Sequence, residues 1–387
     1  MVLPSPSLAS SGLRSPISRG VTTLLLLFGF LVGVKALGDG FQLLGSATLE
    51  LIFSATANPF VSLFVGILAT TVMQSSSVTT AMLVGIVASP ESPLPLANAV
   101  PMIMGANIGT TVTATLVSLA HVGRRGEFER AFPIAICHDL FNYMTVLVLL
   151  PLELLTGYLQ QTAVALAQLL EEIGGIDYES PFSYIIAATL EPIKQVIAFA
   201  FAASQLQGVA LIVVGGGIIF ATLILIVKVM QSVVRTKMER MVANVLGSNA
   251  VLAMLVGAAV TAMVQSSSIT TSLLVPLGAA GVLRLEQAFP ITIGANVGTT
   301  ITALFAALAG SGANRMFGLE IALVHLLFNL TGMILIYPLA VTRNIPLKSA
   351  RYLTKLALHS PRLTLVCVAG FFYGLPALLL FLDRVIG

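Results

Sequence analysis

Two identical tetrapeptides, Gln-Ser-Ser-Ser at 74–77 and again at 265–268, are the first residues in this chain whose types and spacing could do chemistry. Each lies near the middle of an apolar run about thirty residues long, 59–88 and 250–280. Hydroxyl and carboxamide groups in such surroundings are costly unless something satisfies them. Serine hydroxyls, joined by backbone N–H groups freed at the start of a helix, suit an oxyanion. Freed carbonyls, with the amide and hydroxyl oxygens of Gln, Asn and Thr, suit a hard cation such as sodium.

A second element follows each tetrapeptide, GANIGTT at 105–111 and GANVGTT at 294–300. The glycines fall at small-xxx-small spacing, Gly105 with Gly109 and Gly294 with Gly298, and helix packing accounts for them as well as function does. Packing does not account for Asn107 and Asn296 at the same place, nor for the threonine pairs Thr110–Thr111 and Thr299–Thr300. An Asn at membrane depth needs partners, and two symmetric ones point to shared ion ligation. A third matched element is HDLFN at 138–142 and HLLFN at 325–329. One matched His per copy, His138 and His325, with no Cys or carboxylate at ligand spacing in both copies, argues against a transition-metal site. Hydrogen bonds that orient neighbouring segments are the expected role of these imidazoles. Asp139 is opposite Leu326 in the other copy; an intramembrane acid is a functional candidate or one half of a structural pair with a nearby Arg or His. Serine and threonine in membrane helices often bond only their own backbone, but two ordered sets of the same elements ask for more than that. No nucleophile–base pair, Walker loop or paired-carboxylate arrangement points to an enzyme or an organic cofactor.

The elements that must position these residues follow from the runs themselves. A thirty-residue apolar run is too long for one comfortable span and fits a re-entrant hairpin with the serines at its tip. Broken backbone at membrane depth is tolerated only where it lines a cavity or is buried in protein. The three matched elements recur with an offset near 190 residues, and Val21–Gly38 answers Val209–Lys228. The chain therefore contains two structural repeats, 20–153 and 209–341. Basic residues fix their relation. The loop after GANIGTT carries Arg124, Arg125 and Arg130, whereas in the second copy the loop before GANVGTT carries Arg284. Lys228, Arg235, Lys237 and Arg240, and later Arg343, Lys348, Arg351, Lys355 and Arg362, are further cytoplasmic candidates. Non-equivalent loops on one face make the repeats inverted.

Composition agrees with a membrane location. Of 387 residues 57 % are hydrophobic and 9 % charged, against roughly 25 % charged in soluble proteins. Cys137 and Cys367 both lie in apolar segments and are expected as free thiols. A net charge of +3 gives no reason to expect a nucleic-acid partner. Arg14 and Arg19 precede the apolar run Val21–Val34, but no clear small-residue cleavage site follows it, and the run has a partner in the second repeat. The expected layout is an all-α, multi-pass protein of the cell membrane, each repeat holding one re-entrant hairpin and one broken or Gly-containing transmembrane helix. It comprises a cytoplasmic tail (1–19), repeat 1 (20–153), an acidic outer-face amphipathic and connecting segment (154–208), repeat 2 (209–341) and a basic cytoplasmic segment with a C-terminal helix (342–387).

At these residues the sequence resembles the type II sodium-dependent phosphate cotransporter family. The doubled QSSS, the doubled G-x-N-x-G-T and the run VGRRGEFERAFPIAICHDLFN at 122–142 carry the resemblance, which spans most of 20–341. It implies sodium-driven uptake of inorganic phosphate, with the two hairpins meeting at the substrate site. Carried over by matching motif, Ser75, Ser76, Ser266 and Ser267, with Gln74 and Gln265, would hold phosphate. Asn107, Asn296, Thr110, Thr299, Ser77 and Ser268 would help ligate sodium, with Thr111, Thr300, Asp139, His138 and His325 as accessory groups. The long, disulfide-bonded, glycosylated outer loop of the animal members is replaced by a shorter stretch at 154–183 without cysteine, and the C-terminal regulatory domain of some bacterial relatives is missing. Both departures imply a minimal bacterial member. A sodium-coupled transporter of another oxyanion or carboxylate, and a channel or non-transporting membrane sensor, are the alternatives that the residues leave open.

Overall fold

Asparagine caps and two left-handed glutamines divide the apolar runs into the helices that carry the tetrapeptides. The computed structural model describes residues 16–44, 58–89, 94–174, 181–245, 249–308 and 315–360, with 366, 368–374, 378 and 381 beyond them. Helix α1 spans Pro16–Leu44. Helix α2 (Pro59–Met73) starts at Asn58, whose side chain accepts from the Phe60 N–H at 2.9 Å, with Pro59 in the first turn where no N–H is missed. It ends at Gln74 in the left-handed region, φ 51° and ψ 26°; Ser75 is extended, and α3 (Ser76–Val87) begins. The second run repeats the pattern. Helix α10 (Ala250–Val264) starts at Asn249, ends at left-handed Gln265 (φ 58°, ψ 27°), and α11 (Ser267–Ala279) follows extended Ser266. Each thirty-residue run is thus two helices with the break at Gln-Ser-Ser-Ser.

Between and after these pairs lie α4 (Leu96–Gly109), α5 (Val112–Leu119), α6 (Arg125–Thr156), α7 (Tyr158–Gly174), α8 (Pro181–Ala200) and α9 (Ser204–Val245). Helices α12 (Leu285–Ala307), α13 (Arg315–Ile336) and α14 (Ala340–His359) complete the second half. Among the described residues six helices are long and apolar enough to cross a membrane, over Ser18–Leu44, Leu96–Leu119, Arg125–Thr156, Ser204–Val229, Leu285–Ala307 and Met316–Ile336. The described residues form helices and short turns and no strand, and the chain is a multi-pass membrane protein.

Glycine lets helices approach backbone to backbone, at matching places in the two halves and between them. Cβ atoms at Gly105 and Gly109 would strike the carbonyls of Leu63 and Ile67, so α4 runs parallel to α2 with a shared four-residue step. In the second half Gly294 and Gly298 face the carbonyls of Met254 and Ala258, with the same step. The glycines of both GAN elements are therefore packing residues. Helices α1 and α9 are joined by reciprocal pairs, Gly33 with Gly215 and Gly40 with Gly208, which places them antiparallel. The second arm of each broken run packs into the other half, α3 on α12 and α13, and α11 on α5 and α6.

Among its described residues, segment 154–208 holds α7 and α8 between the end of α6 and the start of α9. Glu153 accepts from the Leu159 and Gln160 N–H groups, at 2.6 and 3.2 Å, and so caps the start of α7; Leu159, Ala163 and Ala167 form its buried stripe. Helix α8 packs on α1 and α9. Lys194 of α8 and Lys35 of α1 share the carboxylate of Asp39, at 3.0 and 2.7 Å. Several sequence expectations lie outside the described residues: the tail up to residue 15 with Arg14, loop positions 90–93, Asp177 and Glu179 of the acidic stretch, Arg362 and Cys367. Cys137 is a buried free thiol.

Candidate functional site

The two tetrapeptides meet. The Ser77 hydroxyl, in the first turn of α3, donates to the Gln265 carbonyl at 3.0 Å, so the start of α3 touches the break between α10 and α11. Both breaks have the same backbone, Ser75 at φ −154° and Ser266 at φ −153°. A left-handed, non-glycine residue costs of order 1–2 kcal/mol, and among the described residues Gln74 and Gln265 are the two that adopt it. The following threonines steady the tips. Thr80 and Thr271 donate to the carbonyls of Ser76 and Ser267 at 2.8 and 2.9 Å, while Thr79 and Thr270 reach those of Ser75 and Ser266 at 3.2 and 3.3 Å. Ser76, Ser77, Ser267 and Ser268 are buried, and Ser75 and Ser266 half-buried. The glutamines differ: Gln74 is exposed, whereas Gln265 is buried with its Oε1 lacking a hydrogen-bond partner.

The Asn and His elements pair across the halves. The His138 Nε2 lies 2.7 Å from the Asn296 Oδ1, and the His325 Nε2 lies 3.3 Å from the Asn107 Oδ1. With the imidazoles donating, each GAN carboxamide is aimed by the histidine of the opposite repeat, the orienting role expected of these side chains. Asn142 ties the two sets together. It donates to the Asn107 carbonyl at 2.8 Å and accepts from the Asn296 Nδ2 at 2.7 Å. Sequence reading quoted Asn142 within its motif but gave it no role. The signal was there, because Asn142 and Asn329 match between the copies as closely as the histidines do.

The threonines expected as cation ligands bond back onto their own helices, Thr110 to the Ala106 carbonyl at 2.9 Å and Thr299 to the Asn296 carbonyl at 2.8 Å. Thr111 and Thr300 do likewise, to Ile108 and Val297 at 2.8 and 2.7 Å. A hydroxyl that has given its proton to a carbonyl keeps its lone pairs, which is the state a cation needs. Asp139 is buried; Thr115 donates to its Oδ2 at 3.0 Å, and its Oδ1 has no hydrogen-bond partner. The Arg or His partner that sequence reading offered for Asp139 does not pair with it among the described residues. The Thr70 hydroxyl is likewise buried without a partner. Buried oxygens of this kind keep their full capacity to accept a hydrogen bond or ligate a cation. Among the described residues no three His, Cys, Asp or Glu side chains cluster to hold a metal ion.

The halves are not identical. In the first, the helical hydrogen-bond ladder is interrupted at Thr110–Thr111, between α4 and α5, although both residues keep right-handed helical torsions, whereas α12 runs through the equivalent threonines without interruption.

Comparison with known proteins follows the same two-part division. The chain is 32 % identical to the sodium-dependent phosphate transport protein 2A of Ovis aries, over 91 % of this chain and 66 % of that protein. It is 31 % identical to the 2B protein of Homo sapiens, over 92 % of this chain and 65 % of that one, and 34 % identical to the 2A protein of Mus musculus, over 86 % and 62 %. The chain thus spans just under two thirds of the length of these curated relatives. No solved structure matches it. A family model described as Na+/Pi-cotransporter matches residues 29–176 and 218–358. Those segments carry one broken run, one GAN element and one H-x-x-F-N element each, and the chain accordingly belongs to the Na+/Pi-cotransporter family.

Proposed function

We propose that this protein couples the inward movement of sodium to the uptake of inorganic phosphate, binding both where the two Gln-Ser-Ser-Ser breaks meet. The contact between the Ser77 hydroxyl and the Gln265 carbonyl carries the proposal. It joins two helix starts, α3 and α11, each with N–H groups and serine hydroxyls for an anion and each worth roughly half a positive charge. The names of the relatives, sodium-dependent phosphate transport proteins, support the same substrate pair.

Charge accounts for the coupling. Phosphate is mostly a dianion near neutral pH, and neither the tetrapeptides nor the GAN elements contain Lys or Arg. The serine tips and helix starts would hold phosphate, with Gln74 and Gln265 closing its shell. Asn107, Asn296, Thr110 and Thr299, with Asp139, would supply oxygens for sodium. Each ion then offsets the desolvation of the other, and neither binds well alone.

The repeats are read as inverted, and their broken runs as re-entrant. Antiparallel packing of the equivalent helices α1 and α9 supports this. So does Arg130, at the start of α6, which donates to the Ala279 carbonyl at 2.9 and 2.6 Å and so brings the loop after one GAN element beside the loop before the other.

The test is phosphate uptake into proteoliposomes with and without a sodium gradient. Uptake is expected to require the gradient and to be lost in Gln74→Ala and in Gln265→Ala while both proteins insert. Unchanged uptake in both variants would refute the site. Competition by sulfate, arsenate and dicarboxylates decides the substrate: displacement of phosphate by a dicarboxylate as readily as by arsenate would overturn the phosphate assignment.

A further inference from the structure

Far from the tetrapeptides, at the end of the molecule where the 121–130 and 280–286 turns adjoin, a cleft of about 350 Å³ opens between α6, α12 and α14. Its charged lining is Arg130, Arg284, Arg351 and Lys355 against Glu129 and Glu286, four cations to two carboxylates. Arg351 pairs with Glu286, and Arg130 spends part of its guanidinium on the Ala279 carbonyl. Among the described residues, Arg284 and Lys355 have no ion-pair partner. The cleft therefore has an excess of positive charge held by groups that do not neutralise one another.

Helix α14 adds the second half of the argument. It carries Arg343, Lys348, Arg351 and Lys355 and no acidic residue. One face packs inward through Leu347, Ala350, Thr354 and Ala357. The outward face alternates these cations with large apolar side chains: Val341 is 80 % exposed, Tyr352 63 % and Leu356 50 %. Interleaved cations and exposed apolar groups on one helix fit the boundary between headgroups and acyl chains. Its start is tied to that boundary, because α13 ends its span at Ile336 and Arg343 stacks over the Tyr337 ring at 5.2 Å. The basic residues mark this end as cytoplasmic.

We infer that this cleft binds the phosphodiester headgroup of an anionic phospholipid of the cytoplasmic leaflet, through Arg284 and Lys355, with the acyl chains lying along the exposed apolar side chains of α14. A membrane-embedded diester brings one negative charge to a cleft with two cations in excess, and the apolar groups beside it have no use for a soluble phosphate.

The experiment titrates phosphatidylglycerol into the full-length protein in phosphatidylcholine nanodiscs and measures the lipid retained on extraction. Retention of phosphatidylglycerol over phosphatidylcholine is expected to weaken about fivefold for Lys355→Gln and roughly thirtyfold for Arg284→Gln with Lys355→Gln, since each cation near the surface contributes about one kcal/mol. The charge-keeping pair Arg284→Lys with Lys355→Arg should retain it. A large excess of inorganic phosphate should not displace it. Equal retention by Lys355→Gln and the unaltered protein overturns the inference, as does displacement by inorganic phosphate. Equal weakening by Lys348→Gln, outside the cleft, would overturn it too by showing a diffuse surface effect. Because the readout is bound lipid, it is independent of whether the central site transports phosphate.

Discussion

At the scale of single residues, the Asn and His side chains form a relay that crosses the molecule. His138 aims the Asn296 carboxamide, Asn296 donates to Asn142, and Asn142 reaches the backbone of the first GAN element. All are buried, so an unpaired member is expensive. Asn142→Leu strands the Asn296 amide and the Asn107 carbonyl and is expected to lower stability by roughly 2–4 kcal/mol. His325→Ala, which loses a longer contact, should cost about 1 kcal/mol. Thermal melting of the purified variants checks the order, and the sodium concentration for half-maximal uptake should rise in Asn142→Leu. Equal melting of Asn142→Leu and the unaltered protein would show that the relay is not what holds the carboxamides. The types of these residues were legible in the sequence, but their partners were not. A repeat aligns His138 with His325, whereas packing joins His138 to Asn296, an unlike residue in the other half. Asp39 was half legible for a related reason, since its partner Lys35 lies one turn away on α1 but its second partner, Lys194, comes from a distant helix.

At the scale of elements, close glycine contacts decide which helices can be neighbours. A methyl group at Gly294 would collide with the Met254 carbonyl, and α12 would have to move off α10. Gly294→Ala is expected to lose about 1–3 kcal/mol or more. Gly217→Ala in α9 meets nothing within 4 Å and should be neutral or gain up to about 1 kcal/mol from helix propensity. Folded yield and melting temperature compare the two. A Gly294→Ala protein as stable as Gly217→Ala would remove the close contact as an explanation. Element boundaries were largely legible, because a run too long to span once must break, and the polar tetrapeptide is its only costly place to continue as helix. Left-handed glutamine was not legible, since nothing in Gln favours that conformation. Nor was the unequal interruption at Thr110–Thr111, because GANIGTT and GANVGTT differ by one methylene and the surroundings decide.

At the scale of the whole molecule, α1 packs antiparallel to α9 and the 121–130 and 280–286 turns adjoin, and the proposed inverted arrangement puts those two turns on one face of the membrane. In a protein with its native cysteines replaced, Gly123→Cys and Val282→Cys should react with a membrane-impermeant maleimide only from the cytoplasmic side. Ala202→Cys, between α8 and α9, should react only from outside. Labelling of Gly123→Cys and Val282→Cys from opposite sides would rule out the inverted arrangement. The two glutamine turns, finally, share their torsions to within about ten degrees although one is open and the other covered. The same left-handed turn therefore forms whether its side chain meets open surroundings or packed protein, so its shape belongs to the backbone of the break and not to what covers the glutamine.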